Sequence, residues 1–415
     1  MTSGASASAP VGPLEGLKVL DLSKVLAGPW TTQIFGDLGA DVVKVELPGG
    51  GDETRRWGPP FLDDGSGDAA YYLAANRNKR AIAIDLSTKD GADLVRRLAA
   101  DSDILVENFK VGALERYGLD YAALSAINPR LIYCSITGFG QDGPHAQRGG
   151  YDFLVQGMSG LMSVTGFPDD QGGAPTKVGV PVSDLFTGLY AAIAVLAAVQ
   201  HRARTGEGQH VDCALLDTQL CLLANQASNW LNGGMTPGRL GNEHPNVVPY
   251  QDFATSDGHV LVAIGTDRQF RDFCTLIGLP EVGTDPRFVN NSGRSINRRA
   301  LQELFGPAIA CWTAADLLAA MKANNLPGGP VNSVPEALSD PQVAAHDLIQ
   351  TMDRDGQAVK TIAFPARLSR SPATYRRPPP IRAADTRAVL TERLGLTHEE
   401  IAEFAQRGVI EEAAE

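Results

Sequence analysis

The chain has 415 residues, of which 43% are apolar and 20% are charged, and this length and composition predict a folded globular protein with two domains. Its formal net charge of −12 argues against nucleic-acid binding as the main activity. The five cysteines show no CxxC pair or zinc-ligand spacing, and the seven histidines are dispersed. These features predict a cytoplasmic protein without a metal centre.

Short apolar runs alternate with helical patterns through the first third of the chain. This alternation predicts an α/β fold with a Rossmann-like parallel sheet, in which ligands bind beyond the carboxyl ends of the strands. Strands are predicted over 18–22, 41–46, 81–86, 103–106 and 131–136, and helices over 29–38 and 91–100.

Changes in composition predict where the domains begin and end. Residues 1–12 are mostly small and polar and predict a disordered tail. A large domain is expected over 13–229, ending in a helix through 211–229, followed by a linker and a smaller α+β domain over 230–327. Residues 328–415 are expected to return to the large domain, with a helix over 398–406. The apolar run 185–199 is too short to span a bilayer comfortably and predicts a buried helix.

Two carboxylates stand out beside that apolar run. Asp184 follows a β-type segment, 177–182, and precedes a predicted helix over 185–200. Free backbone N–H groups and the helix dipole favour an ionised carboxylate at such a junction. Asp184 is therefore either a helix cap or a nucleophile that forms a covalent acyl intermediate. Asp152 is the second candidate.

Other motifs carry less chemical information. The turn at 23–29 lacks the GxGxxG pattern of dinucleotide sites, and the chain has neither a GxxxxGK[ST] loop nor a GxSxG elbow. The basic cluster at 76–80 is either a solvated turn or a phosphate site.

Several longer segments resemble the family III CoA-transferases, a family that includes the α-methylacyl-CoA racemases, over about Pro13 to Ile410. The segments are DLSKVLAGPWTTQIFGDLGADVVKVELPGGGDETR, NRNKRAIAIDL, DILVENFKVGALERYGLDY, NPRLIYCSITGFGQDGP, GYDFLVQGMSG and RTGEGQHVDCALLD.

The resemblance implies that Asp184 is a nucleophile that carries CoA as an aspartyl thioester. It implies a coenzyme A thioester as co-substrate with a carboxylic acid as its partner substrate, no prosthetic group, and an interlocked homodimer. It also implies that coenzyme A contacts Leu26, Ala27, Leu47, Ile84, Asp85, Leu86, Ser87, Asn108, Phe109, Lys110, Arg116, Tyr151 and Asp152.

Departures from the family pattern narrow the expected reaction. Racemases carry histidine where this chain has Tyr151, and tyrosine is a poor base near neutral pH, with an ordinary pKa of about 10. Oxalate-type enzymes carry glutamine at the position of Leu26, and a glycine-rich loop that is missing here. The segments at 241–245 and 248–251 resemble the succinyl-CoA-dependent dicarboxylate transferases. The expected reaction is transfer from succinyl-CoA to a dicarboxylate, with racemisation, or CoA-ester binding without catalysis, as alternatives.

Overall fold

The computed structural model describes residues 12–413, so the tail predicted over 1–12 lies outside the described residues apart from Gly12. The strands in this part of the chain are β1 Lys18–Asp21, β2 Asp41–Glu46, β3 Lys79–Ile84, β4 Ile104–Glu107, β5 Ile132–Thr137, β6 Gln209–Ala214, β7 Tyr250–Ala254, β8 His259–Ala263, β9 Gly328–Pro330, β10 Ile349–Arg354, β11 Gln357–Ile362 and β12 Ile410–Glu411.

The helices in the same part of the chain are α1 Ala27–Asp37, α2 Ala70–Leu73, α3 Lys89–Ala100, α4 Tyr121–Ile127, α5 Asp152–Met158, α6 Leu161–Val164, α7 Val182–Thr205, α8 Leu215–Leu222, α9 Ala224–Gly233, α10 Asp267–Leu276, α11 Asn291–Ile296, α12 Arg298–Ala310, α13 Ala314–Ala323, α14 Val334–Leu338, α15 Pro341–Ala345, α16 Thr386–Leu394 and α17 His398–Gln406.

A seven-stranded sheet organises the larger of two compact units, which comprises residues 12–161, Val178–Ser228 and 344–413. The strand order is β12-β3-β2-β1-β4-β5-β6, and all neighbours are parallel except β12, which runs antiparallel to β3. The order reverses at β1, between β2 and β4, which is where such sheets bind ligands. The predicted mainly parallel sheet is confirmed.

Alternate residues of each strand feed two apolar cores, one on each face of the sheet. Leu20 and Val43 pack with α3, α4, α16 and α17 on one face. Val19 and Val42 pack with α1 and α7 on the other face. Burial of both faces explains why the strands read as continuous apolar runs.

Helix α7 packs closely against α1. Added to Gly188, a Cβ atom would lie 2.8 Å from the carbonyl oxygen of Ala27, so only glycine allows this approach. The Thr31 hydroxyl donates to the Gly188 carbonyl over 3.1 Å. By length and apolarity α7 could also cross a membrane, with a mean hydropathy of 1.9 over its most apolar window, but core helices meet the same test. Residues of α7 such as Ala191 and Val195 are buried against the sheet.

The smaller unit comprises Met162–Lys177 and Asn229–Val343. Its antiparallel sheet has the order β7-β8-β9. Phe305 lies at the centre of its core, with its ring in contact with those of Phe253, Phe270 and Phe273.

The division into units differs from the predicted domain bounds in two places. Residues 162–177 belong to the smaller unit, although they were expected in the large domain. The return to the large unit begins at Ala344 and not at residue 328, because Gly328–Pro330 pairs with β8 as the third strand of the small sheet.

Three local predictions from the sequence were wrong. Residues 177–181 form no strand, because a glycine and a proline interrupt the run. The helix predicted through 211–229 begins as strand β6, which pairs with β5, and only then continues as α8 and α9. The basic cluster at 76–80 is neither a solvated turn nor a phosphate site. Its cations are buried in ion pairs: Arg77 with Asp37, Lys79 with Asp21, and Arg80 with Asp41 and Glu392.

Candidate active site

Two neighbouring cavities open at the carboxyl edge of the large sheet. The first has a volume of about 350 Å³, and the second about 520 Å³. All the residues predicted to contact coenzyme A, except Asp152, line one or both of these cavities. The first cavity is lined by Leu47, Ile84, Asp85, Leu86, Ser87, Phe109 and Arg116, and the second by Leu26, Ala27, Asn108, Phe109, Lys110, Tyr151 and Asp184. The two linings share Phe109, Lys24, Glu53 and Ala113.

The first cavity suits a ligand with an apolar body and a charged end. Leu47, Ile84, Leu86 and Phe109 supply apolar surface from the ends of three strands. Cationic side chains at Lys24, Arg56 and Arg116 line the same space and can bind phosphate groups.

Asp184 lies in the first turn of α7, where its sequence position had left two interpretations open. Pro181 precedes the helix as its N-cap, and no side chain caps this end from within the helix. Asp184 is the third residue of α7, so the helix-cap interpretation is wrong. Its carboxyl group lines the second cavity and is placed where it can react with a bound molecule.

Asp152 holds the start of α7 from outside that helix. One of its oxygens accepts a hydrogen bond from the Ser183 backbone N–H over 2.7 Å, and the other accepts from the Gln156 amide over 2.7 Å. The Gln156 side-chain oxygen in turn accepts from the Val178 backbone N–H. Asp152 does not line either of these two cavities, and its observed contacts are those to the Ser183 N–H and to Gln156.

The electrostatic environment of Asp184 favours its protonated form more than water would. Burial raises the pKa of Asp184 to about 7, and the negative charge of Asp152 acts in the same direction. A carboxylate with a pKa near neutrality is more basic than an ordinary aspartate, and it is still about half ionised at pH 7. Both properties suit a nucleophile.

Tyr71 is influenced by the charge of Asp184, a relation that the sequence did not reveal. Burial raises the pKa of Tyr71 to about 12, and the negative charges of Asp184, Asp152 and Asp52 act in the same direction. The Tyr71 ring meets that of Trp57 edge to face, 5.4 Å between centroids. Neither residue lies in a motif.

The end of strand β4 supports the wall between the cavities. Asn108 accepts a hydrogen bond from the Lys24 backbone N–H over 2.9 Å and donates to the Lys24 carbonyl over 2.7 Å. Glu107 accepts from the Phe109 backbone N–H over 2.7 Å, and burial raises its pKa to about 7. The predicted ligand contact Asn108 thus lines the cavity while its amide fixes the turn after β1.

Metal coordination has no evident site in the described part of the chain. Over residues 12–413, no group of three His, Cys, Asp or Glu side chains is arranged to hold a metal ion. The chemistry available at the second cavity is that of the Asp184 carboxylate, the Tyr151 phenol and backbone donors at the starts of helices.

Comparison with known proteins gives the same family from sequence and from structure. Residues 14–386 match the family model of CoA-transferase family III. The chain is 48% identical over 384 residues to the succinate–glutarate CoA-transferase of Agrobacterium fabrum, a match that covers 92% of this chain and 95% of that relative. It is 40% identical over 401 residues to the succinyl-CoA:glutarate CoA-transferase of Mus musculus, with coverage of 96% and 91%.

A solved structure agrees with these relatives. The crystal structure of a CaiB/BaiF family protein from Brucella suis has a TM-score of 0.82 to this chain at 48% identity, and the match covers 93% of this chain and 100% of that one. The resemblance seen in the sequence motifs is confirmed over nearly the whole chain. This protein is an enzyme of the CoA-transferase family III.

Proposed function

We propose that this enzyme transfers coenzyme A from succinyl-CoA to glutarate or a similar dicarboxylate, with Asp184 as the nucleophile. The proposal rests on the carboxyl group of Asp184. Asp184 lines the second cavity, which adjoins the first, and the pKa of its carboxyl group is raised. The choice of substrates is supported by the relatives at 48% and 40% identity, whose names give succinate or succinyl-CoA together with glutarate.

Covalent catalysis by Asp184 accounts for the exchange without any further cofactor. Its carboxylate oxygen attacks the thioester carbonyl, the C–S bond breaks, and CoA leaves as the thiolate. The thiolate attacks the Asp184 carbonyl, the anhydride C–O bond breaks, and the donor acid leaves as its carboxylate. The acceptor carboxylate then attacks the aspartyl thioester, the C–S bond breaks, and CoA leaves again as the thiolate. The thiolate attacks the acceptor carbonyl of the new anhydride, the C–O bond to Asp184 breaks, and the new thioester and the free Asp184 carboxylate result.

The thioester needs hydrogen-bond donors where negative charge develops on its carbonyl oxygen. At the start of α7, the Ser183 N–H is already engaged by Asp152. The start of α1 supplies alternatives, because its first backbone hydrogen bond is donated by Trp30 to the Leu26 carbonyl. The N–H groups of Ala27 and Gly28 precede that bond and have no partner within the helix.

Binding of coenzyme A is assigned to the first cavity, with the acyl end reaching Asp184 in the second. Phe109 belongs to both linings and would contact the ligand where it passes between them. Tyr151, 68% exposed, lines the second cavity where a racemase would need a histidine base. The proposed reaction therefore includes no proton transfer at the α-carbon. Separately, from the cysteine pattern, we propose that the enzyme acts in the cytoplasm.

A homodimer is proposed from an apolar surface on the large unit. Helices α5, α7 and α8 pack against one another. Phe153 and Ile193 are each 62% exposed there, and Leu189 and Leu220 are also exposed. An exposed apolar surface of this kind marks an interaction site.

We expect sedimentation equilibrium to give twice the chain mass of 44.0 kDa, and Ile193→Glu to shift the protein towards monomer. A wild-type protein that sediments as a monomer at micromolar concentration would contradict this.

The substrate assignment predicts the outcome of an acceptor panel. With succinyl-CoA as donor, mass spectrometry of the CoA products should show glutaryl-CoA formed faster than the product of any monocarboxylate, because the relatives act on dicarboxylates. Oxalate serves as a short acceptor, and a 2-methylacyl-CoA in deuterated water tests the racemase alternative. Deuterium at the α-carbon without CoA exchange would assign the protein to the racemase branch.

The nucleophile assignment predicts a selective loss in Asp184→Asn. We expect transfer to fall by a factor of about 10⁴ or more, because the covalent step is lost, while the Kd for succinyl-CoA changes by about threefold or less. Hydroxylamine added after incubation with succinyl-CoA should modify the peptide that contains Asp184 in the wild type. Modification of a different carboxylate, or normal turnover by the variant, would exclude Asp184 as the nucleophile.

The raised pKa of Asp184 predicts the pH dependence of acylation. Only the ionised carboxylate attacks, so kcat/KM for succinyl-CoA should rise with pH through about 7 and then level off. Asp152→Asn removes the neighbouring charge while keeping an acceptor for Ser183, so the midpoint should move to lower pH. Asp272→Asn on α10, an exposed acid, is the matched control and should leave the midpoint unchanged.

The same shift has a consequence for stability. The folded state holds a proton on Asp184 between about pH 4 and pH 7 that the unfolded state releases, so wild-type stability should fall as pH rises through this window. In Asp184→Asn the contribution of this group should be absent, so the decline should be shallower than in the wild type; Glu107, whose pKa is also raised to about 7, contributes equally in both proteins. Identical pH dependence of urea unfolding in both proteins would show that the pKa is not raised.

A further inference from the structure

The turn between β1 and α1 contains a residue in an unfavourable backbone conformation. Val25 has φ of 72°, in the left-handed region, where a β-branched residue is a strong outlier. Such a conformation persists only when surrounding contacts enforce it, and strained residues of this kind concentrate at functional sites. Val25 lines the same cavity as Asp184.

Asp52 is the side chain that holds Val25 in this conformation. Its carboxylate accepts a hydrogen bond from the Val25 backbone N–H over 3.2 Å. The carboxylate is 3% exposed and fixed by its own partners: the Thr54 backbone N–H at 3.0 Å, the Thr54 hydroxyl at 2.7 Å, and the Lys44 ammonium at 3.0 Å. Because the Asp52 carboxylate has this many partners, it has little freedom to move. The backbone of the turn therefore adapts to the position of Asp52, and not the reverse.

The two residues before Val25 in this turn, Ser23 and Lys24, are also held by hydrogen bonds to side chains. The Ser23 N–H donates to Asp21, and the Ser23 carbonyl accepts from Lys44 over 2.7 Å. The N–H and carbonyl of Lys24 are both bound by Asn108. The backbone N–H groups of Ser23, Lys24 and Val25 and the carbonyls of Ser23 and Lys24 are thus all bound by side chains. Asp52 binds the last of these N–H groups, that of Val25, before α1 begins.

The position of this turn sets the position of the α1 start relative to Asp184. Leu26 and Ala27 follow Val25 directly and line the cavity of Asp184. One helical turn after Asp184, Gly188 lies so close to the Ala27 carbonyl that an added Cβ would be 2.8 Å from it. A shift of the turn would therefore push the start of α1, with its N–H donors, against α7. The close contact at Gly188 leaves no room for the start of α1 in such a shifted position.

We propose that Asp52 is a positioning residue for acyl transfer, which holds Val25 in its left-handed conformation and thereby fixes the first N–H groups of α1 beside Asp184. The inference rests on the proposed function of Asp184. Asp52 itself lines the first cavity, so effects on coenzyme A binding must be separated from effects on the reaction.

A double-mutant cycle with Val25→Gly isolates this role. Glycine adopts positive φ without support, so the turn in the Val25→Gly variant keeps its shape when Asp52 is removed. We expect Asp52→Ala to lower kcat for succinyl-CoA:glutarate transfer by about 10- to 100-fold relative to wild type. Relative to Val25→Gly, the double variant should lose about threefold or less. A purely structural role of Asp52 would give the same loss in both backgrounds.

The matched control is Asp37→Asn, which alters another buried carboxylate of the same region. Asp37 ends α1, is 1% exposed and pairs with Arg77, but it makes no contact with the 23–25 turn. Its kcat should stay within about threefold of wild type at a similar loss of melting temperature. If Asp52→Ala does not yield folded protein, Asp52→Asn in the two backgrounds should show the same pattern with a smaller amplitude.

Hydrogen exchange over residues 22–30 gives a readout that does not depend on activity. Exchange should accelerate in Asp52→Ala and return towards the Val25→Gly rate in the double variant. Unchanged exchange in Asp52→Ala, an equal kcat loss in both backgrounds, or an equal loss in Asp37→Asn would overturn the proposal. If the wild-type enzyme showed no transfer at all, the proposed function would fail, and exchange would still decide whether Asp52 holds the turn.

Discussion

The candidate site depends on a group of buried charges beneath the carboxyl edge of the large sheet. Lys44 on β2 and Lys79 on β3 are fully buried, and their partners Asp52 and Asp21 are buried as well. Removing each such ion from water costs on the order of several kcal/mol unless a partner compensates it. Opposite charges at fixed positions therefore lock β1, β2 and β3 in register where the ligand cavities open. Burial lowers the pKa of Lys79 to about 8, although the negative charge of Asp21 acts in the opposite direction.

The helix starts at the second cavity combine two opposing requirements. Asp152 must be close to α7 to hold the Ser183 N–H, and its charge then acts on Asp184, whose pKa is raised by burial and by this neighbour. A higher pKa gives a more basic carboxylate but a smaller ionised fraction at neutral pH. The position of the α7 start and the pKa of Asp184 thus both depend on the same neighbour. The Gly188 contact extends this coupling to α1.

Agreement between sequence and structure is closest where one local pattern decides the outcome. The five strands predicted before residue 140 lie within two residues of the observed β1 to β5, because both faces of the sheet are covered and the strands read as apolar runs. The helix over 398–406 was predicted at its observed bounds, and the structure shows Thr397 as its N-cap. Predictions failed over 177–182, where a glycine and a proline interrupt the β-type run, and over 211–229, where pairing with β5 outweighs helical periodicity.

The sequence by itself determined the family, the parallel sheet and Asp184 as the candidate nucleophile. Motifs and apolar runs consist of residues that are neighbours along the chain, so they can be recognised without the fold. It could not determine that the basic residues at 76–80 form buried ion pairs, that the charge of Asp184 acts on Tyr71, or that Asp52 accepts a hydrogen bond from the Val25 N–H. These relations join residues that lie far apart along the chain. Burial and distance fix their energies, and only the folded chain brings the groups together.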